Sequence, residues 1–138
     1  MTMDDLTLSK KIAASGMKAQ SRRLRVIAEN MANAESLSKT PGGQPYRRKT
    51  VTFRNELDRA TGAEMVKVGR VGRDYGPLER KYDPTHIAAD RDGYVLLPNV
   101  NPLIETMDMK EAQRTYEANL NVISVSKDMM SQTLDLIR

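Results

Sequence analysis

Apolar residues recur at steps of three and four at both ends of this chain. From the C-terminus backwards the row reads Ile137, Leu134, Met130, Ile123, Leu120, Tyr116, Ala112 and Met109, broken only by Lys127. From the N-terminus forwards it reads Leu6, Ala13, Met17, Gln20, Leu24, Ile27, Met31 and Ala34, with Lys10 and Gln20 as polar breaks. A 3-4 repeat held over about four heptads is the seam of a coiled coil or bundle. The pattern predicts a helix from near Met3 to about Ala34, roughly 45 Å long at 1.5 Å per residue. Gly16 costs that helix about 1 kcal/mol against Ala and marks a close approach by another helix.

Between the helices the pattern changes. Thr40-Pro41-Gly42-Gly43-Gln44-Pro45 breaks any helix. Short β-leaning runs follow at Tyr46–Phe53, Met65–Val71 and Tyr94–Leu97, separated by turns at Gly62, Gly72, Asp74-Tyr75-Gly76-Pro77, Asp83-Pro84 and Asp90-Arg91-Asp92-Gly93. Strands this short predict a small sheet, marginal alone. Asn101 as N-cap and Pro102 as first helical residue signal the start of the last helix. The fold class expected is mostly α with a small β insert (α+β). Its parts are an N-terminal coiled-coil helix over 1–36, a β-rich insert over 37–102 and a C-terminal coiled-coil helix over 103–138.

Charge and composition narrow the function. The net charge is +4 over 138 residues. It divides into +3 for residues 1–34, +3 for 35–102 and −2 for 103–138. The first helix is therefore basic and the last acidic, which favours their pairing. The basic excess of the middle is interspersed with acids and lacks base-stacking aromatics, so nucleic acid is not an expected partner. The chain has no cysteine, which removes disulfides and thiolate metal sites. No apolar run reaches the ~20 residues of a membrane span, and residues 1–11 lack the apolar core of a signal peptide.

Candidate chemistry is thin. His86 is the one histidine; with Asp90 it offers two metal ligands and no third in reach, so a turn hydrogen bond is the plainer reading. Asp4/Asp5, Glu105/Asp108 and Asp108/Glu111 lie at helix starts, where carboxylates complement the dipole and default to solvated surface. Gly42-Gly43 lacks the Lys and Ser/Thr of a phosphate loop. Asn30 and Asn33 close the first seam, and two readings stand: helix termination, or a polar layer that fixes register between helices. No cofactor, metal or catalytic residue is expected.

Four motifs carry a resemblance. They are Asn30-Met31-Ala32-Asn33-Ala34; Gly43-Gln44-Pro45-Tyr46-Arg47-Arg48; Tyr82-Asp83-Pro84-Thr85-His86 with Ala89-Asp90 and Gly93-Tyr94-Val95; and Pro98-Asn99-Val100-Asn101 leading to Met107-Asp108-Met109, Ala112, Arg114 and Tyr116-Glu117-Ala118-Asn119. In this order they resemble the flagellar basal-body rod proteins of the axial protein family, on its proximal-rod branch. The resemblance implies a structural subunit that assembles helically and transmits torque across the periplasm. Its implied partners are further copies of itself, the rod subunits FlgB, FlgF and FlgG, the rod-base protein FliE, and the flagellar type III export apparatus, which takes subunits from the cytoplasm without a cleaved signal peptide. Leu24, Ile27, Met31, Tyr116, Leu120, Ile123, Met130 and Leu134 are then the expected assembly seam, with Asn30 and Asn33 setting register. Tyr46, Tyr82, Asp83, Pro84, His86, Pro98 and Asn99 shape the insert. Another rod subunit such as FlgB, a cytosolic coiled-coil adaptor, and a hydrolase built on His86 are the alternatives.

Overall fold

The computed structural model describes residues 2–138. In chain order it holds α1 (Met3–Ala32), β1 (Lys49–Asp58), β2 (Ala63–Arg73), β3 (Arg80–Tyr82), β4 (Tyr94–Leu96) and α2 (Pro102–Ile137). β1 pairs with β2 and β3 with β4, as two separate two-stranded sheets. The chain folds as two compact units. The first takes in the chain through Leu24, Thr52–Arg70 and Lys110–Arg138; the second takes in Arg25–Val51 and Val71–Met109. Each unit therefore holds part of both helices and part of the β insert.

Local chemistry fixes the helix ends. Thr2 and Asp5 form a reciprocal cap: the Asp5 backbone N–H donates to Thr2 Oγ1 at 3.2 Å and the Thr2 N–H donates to Asp5 Oδ2 at 2.9 Å. These bonds hold the Asp5 carboxyl below its ordinary pKa. At the far end of α1, Asn33 Nδ2 donates back to the Glu29 carbonyl at 2.8 Å, and Ser36 Oγ donates to Asn33 Oδ1 at 3.0 Å. The start of α2 follows the expectation: Asn101 Oδ1 accepts from the Leu103 N–H at 3.0 Å, with Pro102 as first helical residue.

The β insert departs from the sequence reading in two ways. β1 and β2 run to ten and eleven residues, longer than the apolar runs that mark them. Arg54, Asn55 and Glu56 extend β1 although they are polar, because both ladder faces are open to solvent from Thr52 to Asn55 and cross-strand pairs hold it: Glu56 with Lys67, and Asn55 with Glu64. The start shifts from Tyr46 to Lys49 because the backbone before it is hydrogen-bonded elsewhere, the Tyr46 N–H to the Ser36 carbonyl and the Arg48 N–H to Asn99 Oδ1. β3 has no apolar signal at all, since all three residues are exposed; it forms because β4 pairs with it, Tyr82 opposite Tyr94 and Lys81 opposite Val95. The two tyrosine rings meet edge-on at 5.3 Å. Gly93, at φ 84°, turns the chain into β4.

The buried apolar core is slight: Leu6, Ala13, Ala19, Val26, Ile27, Ala88, Val95 and Ala112 among the described residues. Half of it is alanine, so the helices approach closely. In the first unit a Cβ on Gly16 would stand 2.8 Å from Asn119 Nδ2 of α2, which is the close approach expected at this glycine. Gly16→Ala should be nearly neutral in urea denaturation, because the Asn119 amide can swing away and helix propensity returns about 1 kcal/mol. Gly16→Leu should cost about 1–3 kcal/mol by forcing the helices apart.

Candidate assembly interface

In the first unit α1 and α2 run antiparallel. Lys10 Nζ meets Met130 Sδ at 4.0 Å, Gly16 faces Asn119, and Arg23 reaches Glu111 at 3.5 Å. Along α2 one row of buried and half-buried positions runs Glu105, Met109, Ala112, Tyr116, Asn119, Ile123, Ser126, Met130 and Thr133, with Thr106, Asp108 and Thr115 half-buried beside it. The steps alternate four and three without a break, the spacing of a coiled-coil seam. On α1 the matching row is Leu6, Ser9, Ala13, Gly16, Gln20, Arg23, Ile27 and Asn30, every member buried or half-buried.

This inward row divides the seam residues expected from sequence. Leu24, Ile27, Met31, Tyr116, Ile123 and Met130 are buried or half-buried. Leu120 and Leu134 are about half exposed, at 48% and 50%. At 100° per residue Leu120 lies about 60° from Ile123 and about 100° from Asn119, on the flank of the inward side. Leu134 is exposed with Leu136 and Ile137 in the last turn of α2. Small and polar residues, Asn119, Ser126 and Thr133, take the inward places instead.

α2 also has a second apolar stripe. Val122, Val125 and Met129 step by three and four and are 45%, 56% and 41% exposed; Leu136 continues the line one heptad on. Among the described residues, about half of each of Val122, Val125 and Met129 stands open to solvent. In the second unit Leu103, Ile104 and Met107 are likewise exposed at the start of α2.

A polar hub lies in the second unit. Asn30 is buried, and its carboxamide makes four hydrogen bonds. Oδ1 accepts from Tyr46 Oη at 2.7 Å and from the Lys49 N–H at 2.9 Å; Nδ2 donates to the Lys49 carbonyl at 2.9 Å and to Glu105 Oε2 at 3.3 Å. Asn30 thus holds the first residue of β1 as a neighbouring strand would, while also reaching α2. Glu105 is fully buried and paired with Arg48 Nε; Arg48 also reaches Asp108 at 3.4 Å. Lys49 Nζ pairs with Glu29. Burial, with the negative Glu29 nearby, pushes the Tyr46 hydroxyl pKa upward.

The hub corrects the reading of Glu105 and Asp108 as solvated helix surface. Glu105 falls on the inward row, four residues before Met109, and the cation that makes its burial tolerable is Arg48, far off in sequence. Only the phase of the heptad could have revealed it.

The insert residues act as braces. Asn99 Oδ1 accepts from the Arg48 N–H at 2.8 Å and Asn99 Nδ2 donates to the Asp74 carbonyl at 3.0 Å. Arg47 donates to the Asp74 and Gly76 carbonyls and lies over the Tyr75 ring at 5.6 Å. His86 Nδ1 accepts from the Ala88 N–H at 3.0 Å inside a turn in which the His86 N–H donates to the Asp83 carbonyl. That bond occupies one imidazole nitrogen. Asp83 accepts from Thr85 Oγ1 at 2.8 Å, which lowers its pKa. Asp90 accepts from the N–H groups of Tyr94 and Asp92 and pairs with Arg80, so its carboxyl is also held low. Tyr82 and Pro84 are exposed, and Pro98 half-buried beside Val95 and Leu97. No cluster of three or more metal-ligating side chains, and no helix long and apolar enough to cross a membrane, occurs among the described residues.

The geometry is of helices and braces, and comparison with known proteins agrees. Residues 11–35 match the flagella basal body rod protein family and residues 91–136 the flagellar basal body rod FlgEFG protein C-terminal family. The flagellar basal-body rod protein FlgC of Agrobacterium fabrum is 53% identical over 99% of this chain and 98% of its own length. The chain belongs to the FlgC family of flagellar basal-body rod proteins. FlgC of Salmonella typhimurium is 43% identical over 91% of this chain and 92% of its own, and FlgC of Borreliella burgdorferi 39% over 94% and 96%. This FlgC-family chain is therefore a structural subunit of the flagellar basal-body rod; one family match covers α1 from Lys11 and the three residues after it, the other β4 and nearly all of α2.

Proposed function

We propose that this rod subunit assembles helically through the face of α2 that its own fold leaves uncovered, and that the resulting tube carries motor torque across the periplasm. The observation that carries the reading is the exposed stripe Val122, Val125 and Met129, on a helix whose other side is already occupied by α1. Burying such side chains contributes on the order of 1 kcal/mol or more apiece, repeated at every subunit. Neighbours in the tube would be copies of this chain, FlgB, FlgF and FlgG, with FliE at the base. Delivery would be through the flagellar export apparatus without a cleaved signal peptide. The hub at Asn30 would hold register where α1, α2 and β1 meet, and the β insert would brace neighbouring subunits.

Val125→Asp tests this reading. The purified variant should keep wild-type helicity and melting behaviour, because the position is exposed. Cells that make it as their only copy should lose most swimming, with the chain missing from isolated basal bodies. Normal swimming would exclude this face from the assembly.

A further inference from the structure

The charge difference between the two terminal helices is not used up inside the subunit. In the first unit, among the described residues, only Arg23–Glu111 crosses between them as an ion pair, and both partners belong to or flank the inward row. Lys11, Lys18 and Arg22 of α1 are exposed and form no ion pair among the described residues. Their steps of seven and four place them on one side of the helix. On α2, Glu117, Asp128 and Asp135 are equally exposed and equally unpaired. They too fall in heptad register, on a row that takes in Asn121, Ser124 and Ser131 between them and is bounded by Arg114 and Arg138 at its two ends. The acidic row borders the uncovered stripe of Val122, Val125 and Met129.

The basic row edges a cleft in the same unit. Ser15 Oγ accepts from the Val66 N–H at 3.2 Å and ties the β1–β2 hairpin to α1. Beside that tie, Ala19, Leu57, Met65, Val66 and Val68 line an apolar floor, with Lys18, Arg22 and Arg59 at its rim. Leu57 is 59% exposed there. Lys11 lies near the hairpin turn, where after the N–H of Ala60 and the hydroxyl of Thr61 it helps to hold the Asp58 carboxyl low. Of the acids in the cleft, Glu56 is already paired with Lys67 and Arg54, and Asp58 caps its own turn. The free charge of the rim is therefore positive.

We propose that the outer face of α2 in one copy docks into this cleft of a second copy, Val122, Val125 and Met129 on the apolar floor and the Asp128 row against Lys18 and Arg22. The proposal rests on the rod reading above and names the surfaces through which like subunits meet. A second copy fits because both charge rows share the same 3-4 period, carry opposite sign and have no partner at home. The two surfaces are different patches of one unit, so the contact is head-to-tail and does not close on itself; it propagates as a filament.

The absence of native cysteine makes the test clean. Cells would co-express Lys18→Cys and Asp128→Cys forms, and isolated basal bodies would be mildly oxidised. A dimer from the mixture, and from neither form alone, is the expected result. Basal bodies that contain both forms without the dimer would overturn the docking while leaving the rod reading intact. Wild-type chain missing from basal bodies would overturn the rod reading, and the docking with it. Separately, Lys18→Glu/Arg22→Glu and Asp128→Lys/Asp135→Lys should each cut incorporation on the order of tenfold or more, by setting like charges against each other. All four changes in one chain should restore it. Loss in both pairs with no restoration would place a different rod subunit in the cleft and overturn the second-copy contact.

Discussion

Asn30→Asp is expected to destabilise the subunit by about 3–5 kcal/mol at neutral pH, the range for an uncompensated charge in a buried site. The change is isosteric, so shape is kept and only the hydrogen-bond pattern fails. Nδ2 now donates to the Lys49 carbonyl and to Glu105 Oε2; a carboxylate oxygen in its place would face two acceptors, one of them charged. Burial and the adjacent Glu105 should raise the pKa of the new carboxyl in the folded state above the usual 3.9 or so. The sign follows: below about pH 4 both states are protonated and the ionic penalty is absent. It grows as pH rises above the unfolded value and levels off once pH passes the raised folded value. Urea unfolding of this variant from pH 4 to 8 should show the growing deficit. Asn30→Ala, which loses the bonds without adding charge, should cost less, about 2–3 kcal/mol, and change little with pH.

Arg48→Met is expected to cost about 3–5 kcal/mol as well, because it leaves the fully buried Glu105 without its cation. Arg48→Met combined with Glu105→Met should recover most of that loss, since the pair is removed together and the space filled by apolar atoms. The cycle completed by Glu105→Met alone should give a coupling energy of up to about 3 kcal/mol. A coupling near zero would mean that Asp108, 3.4 Å from the guanidinium, or solvent around the 27% exposed Arg48 side chain, already suffices. The recovered double variant would show that the ion pair specifies where the strand meets the helix more than it stabilises the fold.

Much of this architecture was open to a physical reading of the chain. Helix α2 starts at Pro102 because Asn101 and Pro102 say so locally, and Gly16 marked a close approach before any partner was known. Asn33 and Asn30, three residues apart in one motif, differ in local geometry: Asn33 bonds back to the Glu29 carbonyl at the helix end, and Asn30 bonds to β1 and α2. What stayed illegible has a common cause. The inward row of α2 admits Asn119, Ser126 and Thr133 among Met109, Ala112, Tyr116, Ile123 and Met130, while Leu120 and Val125 are about half exposed, so hydrophobicity alone does not mark every inward place. Glu105 was hidden in the same way, because a carboxylate on a seam makes sense only once Arg48 is beside it. β3, all exposed and charged but for Tyr82, has no identity as a strand until β4 arrives.

The pairing of Lys10 with Met130 joins residues 120 apart in sequence. A contact of that span closes a loop of nearly the whole chain, and such non-local closure slows folding. In any end-first threading, the later turns of α1 could meet the start of α2 through Arg23 and Glu111, but the turn around Lys10 would wait for Met130. Closure of the leading turns would be timed by arrival of the trailing end.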